Sequence, residues 1–139
     1  MYIGEYYHSF DEKGRVSFPA KLREELGEQF VITKGLDGCL SAYSMEKWER
    51  ISEAVAALPQ AKARDLKRFM FSSATVVNPD KQGRVLITPT LRAFASFTKD
   101  VAVIGASDHV ELWDKETWIE RNAAIDSDEI AAAMDELGF

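Results

Sequence analysis

The 139-residue sequence holds one cysteine, Cys39, so no disulfide can form within the chain. With that thiol, two histidines, His8 and His109, are a poor set for acid–base or nucleophilic catalysis. No Cys/His cluster has zinc spacing. No G-x-S-x-G elbow, glycine-rich phosphate loop or H-E-x-x-H motif occurs. Cys39 falls in an expected strand, where a thiol behaves as a small buried hydrophobe. The expectation is no enzyme, no metal and no cofactor. A run of about 18 apolar residues is also missing, so no membrane span is expected. Met1-Tyr2-Ile3-Gly4-Glu5 carries neither the basic stretch nor the apolar core of a signal peptide. These absences point to a cytoplasmic protein.

Positive charge is scarce as well. The net charge is -6, which at first argues against a nucleic-acid partner. The distribution says otherwise. Residues 108–139 carry ten acidic and two basic side chains, whereas residues 1–107 carry thirteen acidic and fifteen basic. The acidity sits in the tail, and binding depends on local patches rather than on the total.

What the sequence does contain is one stretch written twice. Asp11-Glu12-Lys13-Gly14-Arg15-Val16 recurs 69 residues later as Asp80-Lys81-Gln82-Gly83-Arg84-Val85. Leu22-Arg23 returns at the same offset as Leu91-Arg92. At an offset of 70, Val31, Gly35, Glu46 and Trp48 return as Val101, Gly105, Glu116 and Trp118. An ordered recurrence of this kind is an internal duplication. Apolar and aromatic residues flank both stretches, so each reads as a β-hairpin with a late glycine. Asp11 and Asp80 can bond to nearby backbone N–H groups, and Gly14 and Gly83 supply positive φ. A turn does not require the arginine that follows. Arg15 and Arg84 either pair with a carboxylate or reach outward to a ligand, since a guanidinium fork suits carboxylate and phosphate alike.

The first copy reads strand, turn, strand, then a short helix from Ala20 to Leu26 stopped by Gly27. Strands at 30–33 and 39–43 follow, and Ser44 caps a helix bearing Trp48, Ile51 and Val55 on one face. Pro59 ends that helix. Residues 61–71 form a basic helix, read as a connector with a solvated face. The second copy repeats the order, with strands at 75–77, 84–87, 101–104 and 110–113, a short helix after Pro89, and Asp114 as a cap. Trp48, Trp113 and Trp118 read as core or interface anchors. The division is 5–47 first repeat, 48–74 helical connector, 76–119 second repeat and 120–139 acidic C-terminal helix.

Several stretches resemble the MraZ family of bacterial transcriptional regulators: the doubled D-x-x-x-R, the segment from Gly14 to Arg23, the segment from Lys34 to Tyr43, and the helix with Trp48. The resemblance covers almost the whole chain. It implies a mainly β fold with flanking helices, an AbrB-like swapped-hairpin β-barrel formed from two tandem repeats. It implies sequence-specific binding of double-stranded DNA at repeated promoter boxes upstream of the division and cell-wall gene cluster, by a ring-shaped homo-oligomer in the nucleoid. On that basis Arg15 and Arg84 become base contacts and Lys13 and Lys81 phosphate contacts. Asp11, Gly14, Asp80 and Gly83 shape the turns. Repression is the expected outcome at a promoter. The alternative is an AbrB-like antitoxin or an oligomeric protein-binding scaffold. The second copy departs slightly: Thr88-Pro89 stands for Phe18-Pro19, and His109 for Cys39.

Overall fold

The computed structural model describes residues 1–139. In the first repeat, β1 (Glu5–Ser9), β2 (Arg15–Ser17), α1 (Ala20–Leu26), β3 (Phe30–Lys34) and β4 (Leu40–Ser44) follow in order. Two helices, α2 (Met45–Ala56) and α3 (Gln60–Phe71), lead to the second. That repeat comprises β5 (Thr75–Val77), β6 (Arg84–Leu86), α4 (Pro89–Phe94), β7 (Asp100–Gly105), β8 (Val110–Asp114) and α5 (Lys115–Ala123), before a terminal α6 (Ser127–Leu137). No helix is long and apolar enough to cross a membrane.

Local signals set most of these boundaries. The Ser44 hydroxyl accepts from the Lys47 N–H at 3.1 Å, capping α2. Pro59 separates α2 from α3 because its ring cannot continue a helix. Gly27, at φ 92, stops α1 in a conformation that a side chain would strain.

The strands pair across the repeats. One six-stranded sheet runs β1-β7-β8-β4-β3-β5, every pair antiparallel. Thus β1 of the first repeat lies against β7 of the second, and β5 of the second against β3 of the first. The order reads the same when the repeats are interchanged. A separate two-stranded ribbon joins β2 to β6, with Val16 opposite its counterpart Val85.

Two sequence expectations change here. The strands flanking each turn do not form a hairpin with each other. The Asp11 N–H still donates to the Arg15 carbonyl at 2.9 Å, but the next donor, Phe10 N–H, turns away to the Lys99 carbonyl at 2.9 Å. The flanking strands therefore diverge, β1 to the large sheet and β2 to the ribbon. Nor do the ladders close into a barrel: the large sheet ends at β1 and β5, which do not pair. The architecture is mixed helix and strand built on antiparallel sheet.

The core is shared in the same way. Val16, Phe18, Leu22, Phe30 and Leu40 of the first repeat cluster with Val85, Ile87, Leu91, Val101 and Leu112 of the second, all buried. Full burial of side chains this size stabilises by roughly 1.5–3 kcal/mol each, and much of it exists only when both repeats are present. Trp113 belongs to a smaller cluster with Cys39, Ala102 and Ile104, and Trp118 packs on its edge. Cys39 is wholly buried, and burial pushes its thiol up to about 12, so it is not a nucleophile near neutrality.

Candidate nucleic-acid interface

The doubled stretch folds twice into one turn. Asp11 Oδ1 accepts from the backbone N–H groups of Lys13 and Arg15, both at 2.9 Å. Asp11 Oδ2 accepts from Arg15 Nε at 2.7 Å. In the second copy Asp80 Oδ1 accepts from the N–H groups of Gln82 and Arg84 at 2.9 Å, and Oδ2 from Arg84 Nε at 2.9 Å. Gly14 and Gly83 sit at φ 79 and φ 77, where a side chain would be strained. The Arg15 N–H bond to Asp11, then the other donors, hold the carboxyl below the ordinary carboxylate range. Asp80 is lowered in the same way by the Arg84 N–H.

The β2–β6 ribbon sets these turns side by side. Arg15 Nη1 lies 3.9 Å from Asp80 Oδ2, and Arg84 Nη1 lies 3.6 Å from Asp11 Oδ2. Four charges thus alternate across the two repeats. The alternatives left open by the sequence are resolved in part: each arginine does pair with a carboxylate, through Nε. Pairing at Nε leaves the terminal nitrogens able to donate further, and both arginine side chains remain partly exposed, 29% for Arg15 and 28% for Arg84. A guanidinium held by one edge can offer its other edge to a base or a phosphate.

Lys13 and Lys81 are exposed, and neither is in an ion pair. They are not equivalent. Lys13 is the third residue of its turn and Lys81 the second, so Lys81 stands where the first turn has Glu12.

Sequence reasoning missed two further arginines. Arg92 of the second repeat packs against Gly14 of the first, where an added Cβ would lie 3.2 Å from Nη1. Arg23 of the first repeat packs against Gly83 of the second, where a Cβ would meet its guanidinium at 2.6 Å. Each turn glycine therefore makes room for an arginine of the opposite repeat. The signal was the recurrence of Leu-Arg at the same offset, but nothing local tied it to the turns. No group of three or more His, Cys, Asp or Glu side chains is placed to hold a metal ion.

Fold and site together define a class: a tandem-repeat protein in which two matching carboxylate–guanidinium turns are set side by side by one cross-paired ribbon. A family model described as "MraZ protein, putative antitoxin-like" matches the chain twice, over residues 1–69 and 70–137. The chain belongs to the MraZ family. Relatives named "Transcriptional regulator MraZ" match it end to end. One, from Clostridium botulinum strain Eklund 17B, is 50% identical with all of both chains covered. A second, from Clostridium acetobutylicum, is 47% identical, again over all of both chains. A third, from Heliobacterium modesticaldum strain Ice1, is 50% identical over 96% of each.

Proposed function

We propose that the chain is a sequence-specific DNA-binding transcriptional regulator, acting through its two Asp–Arg turns. The observation that carries this reading is the side-by-side placement of Arg15 and Arg84, each held at Nε by its own aspartate and lying with Nη1 near the other turn's, while Nη2 is in no hydrogen bond or ion pair within the chain. A two-stranded ribbon fits the major groove, and a pre-oriented arginine can donate to guanine O6 and N7 together. Lys13 and Lys81 supply sequence-independent, salt-sensitive contacts to phosphate. Asp11 and Asp80 orient the arginines, and Gly14 and Gly83 allow the turns to close. The names of the relatives support regulation of transcription.

The finer reading follows from the family resemblance. Two AbrB-like repeats, 5–47 and 76–119, exchange strands within one chain, around the 48–74 connector and ahead of the acidic 120–139 helix. Chains assemble into a ring-shaped homo-oligomer in the cytoplasm, associated with the nucleoid. The oligomer represses its targets from direct-repeat promoter boxes upstream of the division and cell-wall genes. One subunit offers few basic contacts, so tight binding relies on avidity across neighbouring boxes, a gain of roughly 10²–10⁴-fold. That gain requires boxes on one face of the duplex, spaced about 10–10.5 bp apart.

Binding to one box, to three boxes in phase, and to three boxes offset by half a turn tests this. Strong binding to the in-phase array alone is expected. Equal affinity for all three DNAs overturns it. The wording "antitoxin-like" in the family description favours a second reading, an antitoxin that binds a partner protein as well as DNA. A toxin gene beside this one, in place of cell-wall genes, would select that reading.

A further inference from the structure

We propose that the cleft beneath the first turn binds a phosphoryl group through Arg92 and Lys99, and that the equivalent cleft beneath the second turn does not. The ligand is either a phosphate of the DNA backbone, in which case the inference rests on the DNA-binding reading, or a free phosphorylated solute.

The starting point is a donor without an acceptor. Arg92 Nε is buried and has no hydrogen-bond partner. Its counterpart in the first repeat is satisfied, because Arg23 Nε donates to the Phe18 carbonyl at 2.9 Å. An arginine in the last turn of α4 complements the helix dipole, but that does not require a buried N–H with nothing to donate to. Because Nε is closed to solvent, a ligand would reach this guanidinium through its terminal nitrogens, which make no hydrogen bond or ion pair within the chain and leave the cation without a counter-charge. The guanidinium is also held in place, since it lies against the backbone of Gly14.

The space exists. A cleft of about 440 Å³ opens between the first turn and the end of α4, lined by Arg92, Lys99, Ser96 and Asp11 among others. The Phe10 and Phe97 rings, 5.2 Å apart, form its apolar wall. Asp11 does not cancel the charge there, because its oxygens already accept from Lys13, Arg15 and the Arg15 guanidinium. A guanidinium, an ammonium and a hydroxyl suit the several oxygens of a phosphoryl group better than the two of a carboxylate.

The second cleft is the built-in comparison. Arg23 and Lys81 line it, but so do Glu24, Glu28 and Asp80. Two cations face three carboxylates there, against two cations and one carboxylate in the first cleft. At the same offset, Ala93 and Phe97 replace Glu24 and Glu28. The two repeats share a turn but differ in the electrostatics beneath it.

Side-chain Nε–H NMR signals of the full-length protein test this, with pyrophosphate and, separately, the DNA upstream of its own gene as probes. The Arg92 signal is expected to shift and saturate with pyrophosphate while the Arg23 signal stays. Lys99→Gln should weaken pyrophosphate binding by about tenfold, and Arg92→Gln should abolish it with thermal unfolding confirming that the variant folds. If DNA is the source, DNA competes with pyrophosphate, and Arg92→Gln lowers the salt slope of DNA binding by about one. If the source is a free solute, Arg92→Gln binds DNA like the wild type yet loses pyrophosphate. An Arg92 signal moved by neither probe, or an Arg23 signal that shifts equally, overturns the proposal. Arg15→Gln reports on the DNA-binding reading independently, and the pyrophosphate titration needs no DNA at all.

Discussion

Asp11 does three things with one carboxylate: it fixes two backbone N–H groups and one guanidinium edge. Substituting it therefore differs in kind from substituting Arg15. Arg15→Ala should leave the melting temperature near that of the wild type and weaken promoter binding by about 1–3 kcal/mol per site, the worth of one bidentate base contact. Asp11→Ala should lower both stability and affinity. Melting curves alongside gel shifts check the pair, and an Arg15→Ala protein that binds like the wild type would make that arginine structural. A different residue sets a pH dependence. His109 lies 2.8 Å from Asp108 and 3.1 Å from Glu111. Glu111, ahead of Asp108, raises the imidazole above its ordinary value. A raised folded-state value means this contribution is complete below the unfolded pKa of about 6.5 and is lost as pH rises through the folded one. Melting temperature should therefore fall as pH rises above the ordinary imidazole value of about 6.5, and His109→Gln should flatten that fall.

At the scale of elements, what was legible in the sequence was what neighbours in sequence decide. The Ser44 cap, the Pro59 break and the Gly27 stop are local chemistry, and the end of α1, the start of α2 and the start of α3 lie where those signals put them. Pairing was not legible. The divergence of β1 from β2 rests on Phe10 bonding to Lys99, a partner 89 residues away that no periodicity announces. Likewise Arg92 could be seen to recur with Arg23, but its seat under Gly14 depends on the opposite repeat. The terminal helix α6 buries no residue, yet Ile130 and Met134 share a face that remains exposed. It carries four acidic side chains and no basic one. Deleting residues 127–139 should leave the sheet and DNA binding intact, and removing like charge should raise affinity at low salt. Circular dichroism and a gel shift check this, and aggregation of the shortened protein would show that α6 covers an interface between chains.

Across the whole molecule, neither repeat owns a complete sheet. β1 needs β7, β3 borrows β5, and the ribbon takes one strand from each repeat. Residues 1–69 alone should not fold as a monomer, and neither should residues 70–139. Mixed as separate polypeptides, the two should recover the sheet with a melting temperature that depends more steeply on concentration than that of the intact chain. Independent folding of either piece would disprove the shared core.

The same exchange bears on how the protein is made. A ribosome releases β1 long before it has synthesised β7, the strand that β1 pairs with along Glu5–Ser9. At about 5–20 residues per second the wait is roughly 5–20 s. Throughout it, Val16, Phe18 and Phe30 have emerged without the second-repeat half of their core. During that interval the nascent first repeat exposes an unpaired β1 and half a core, the state in which strand exchange with another unfinished chain competes with folding.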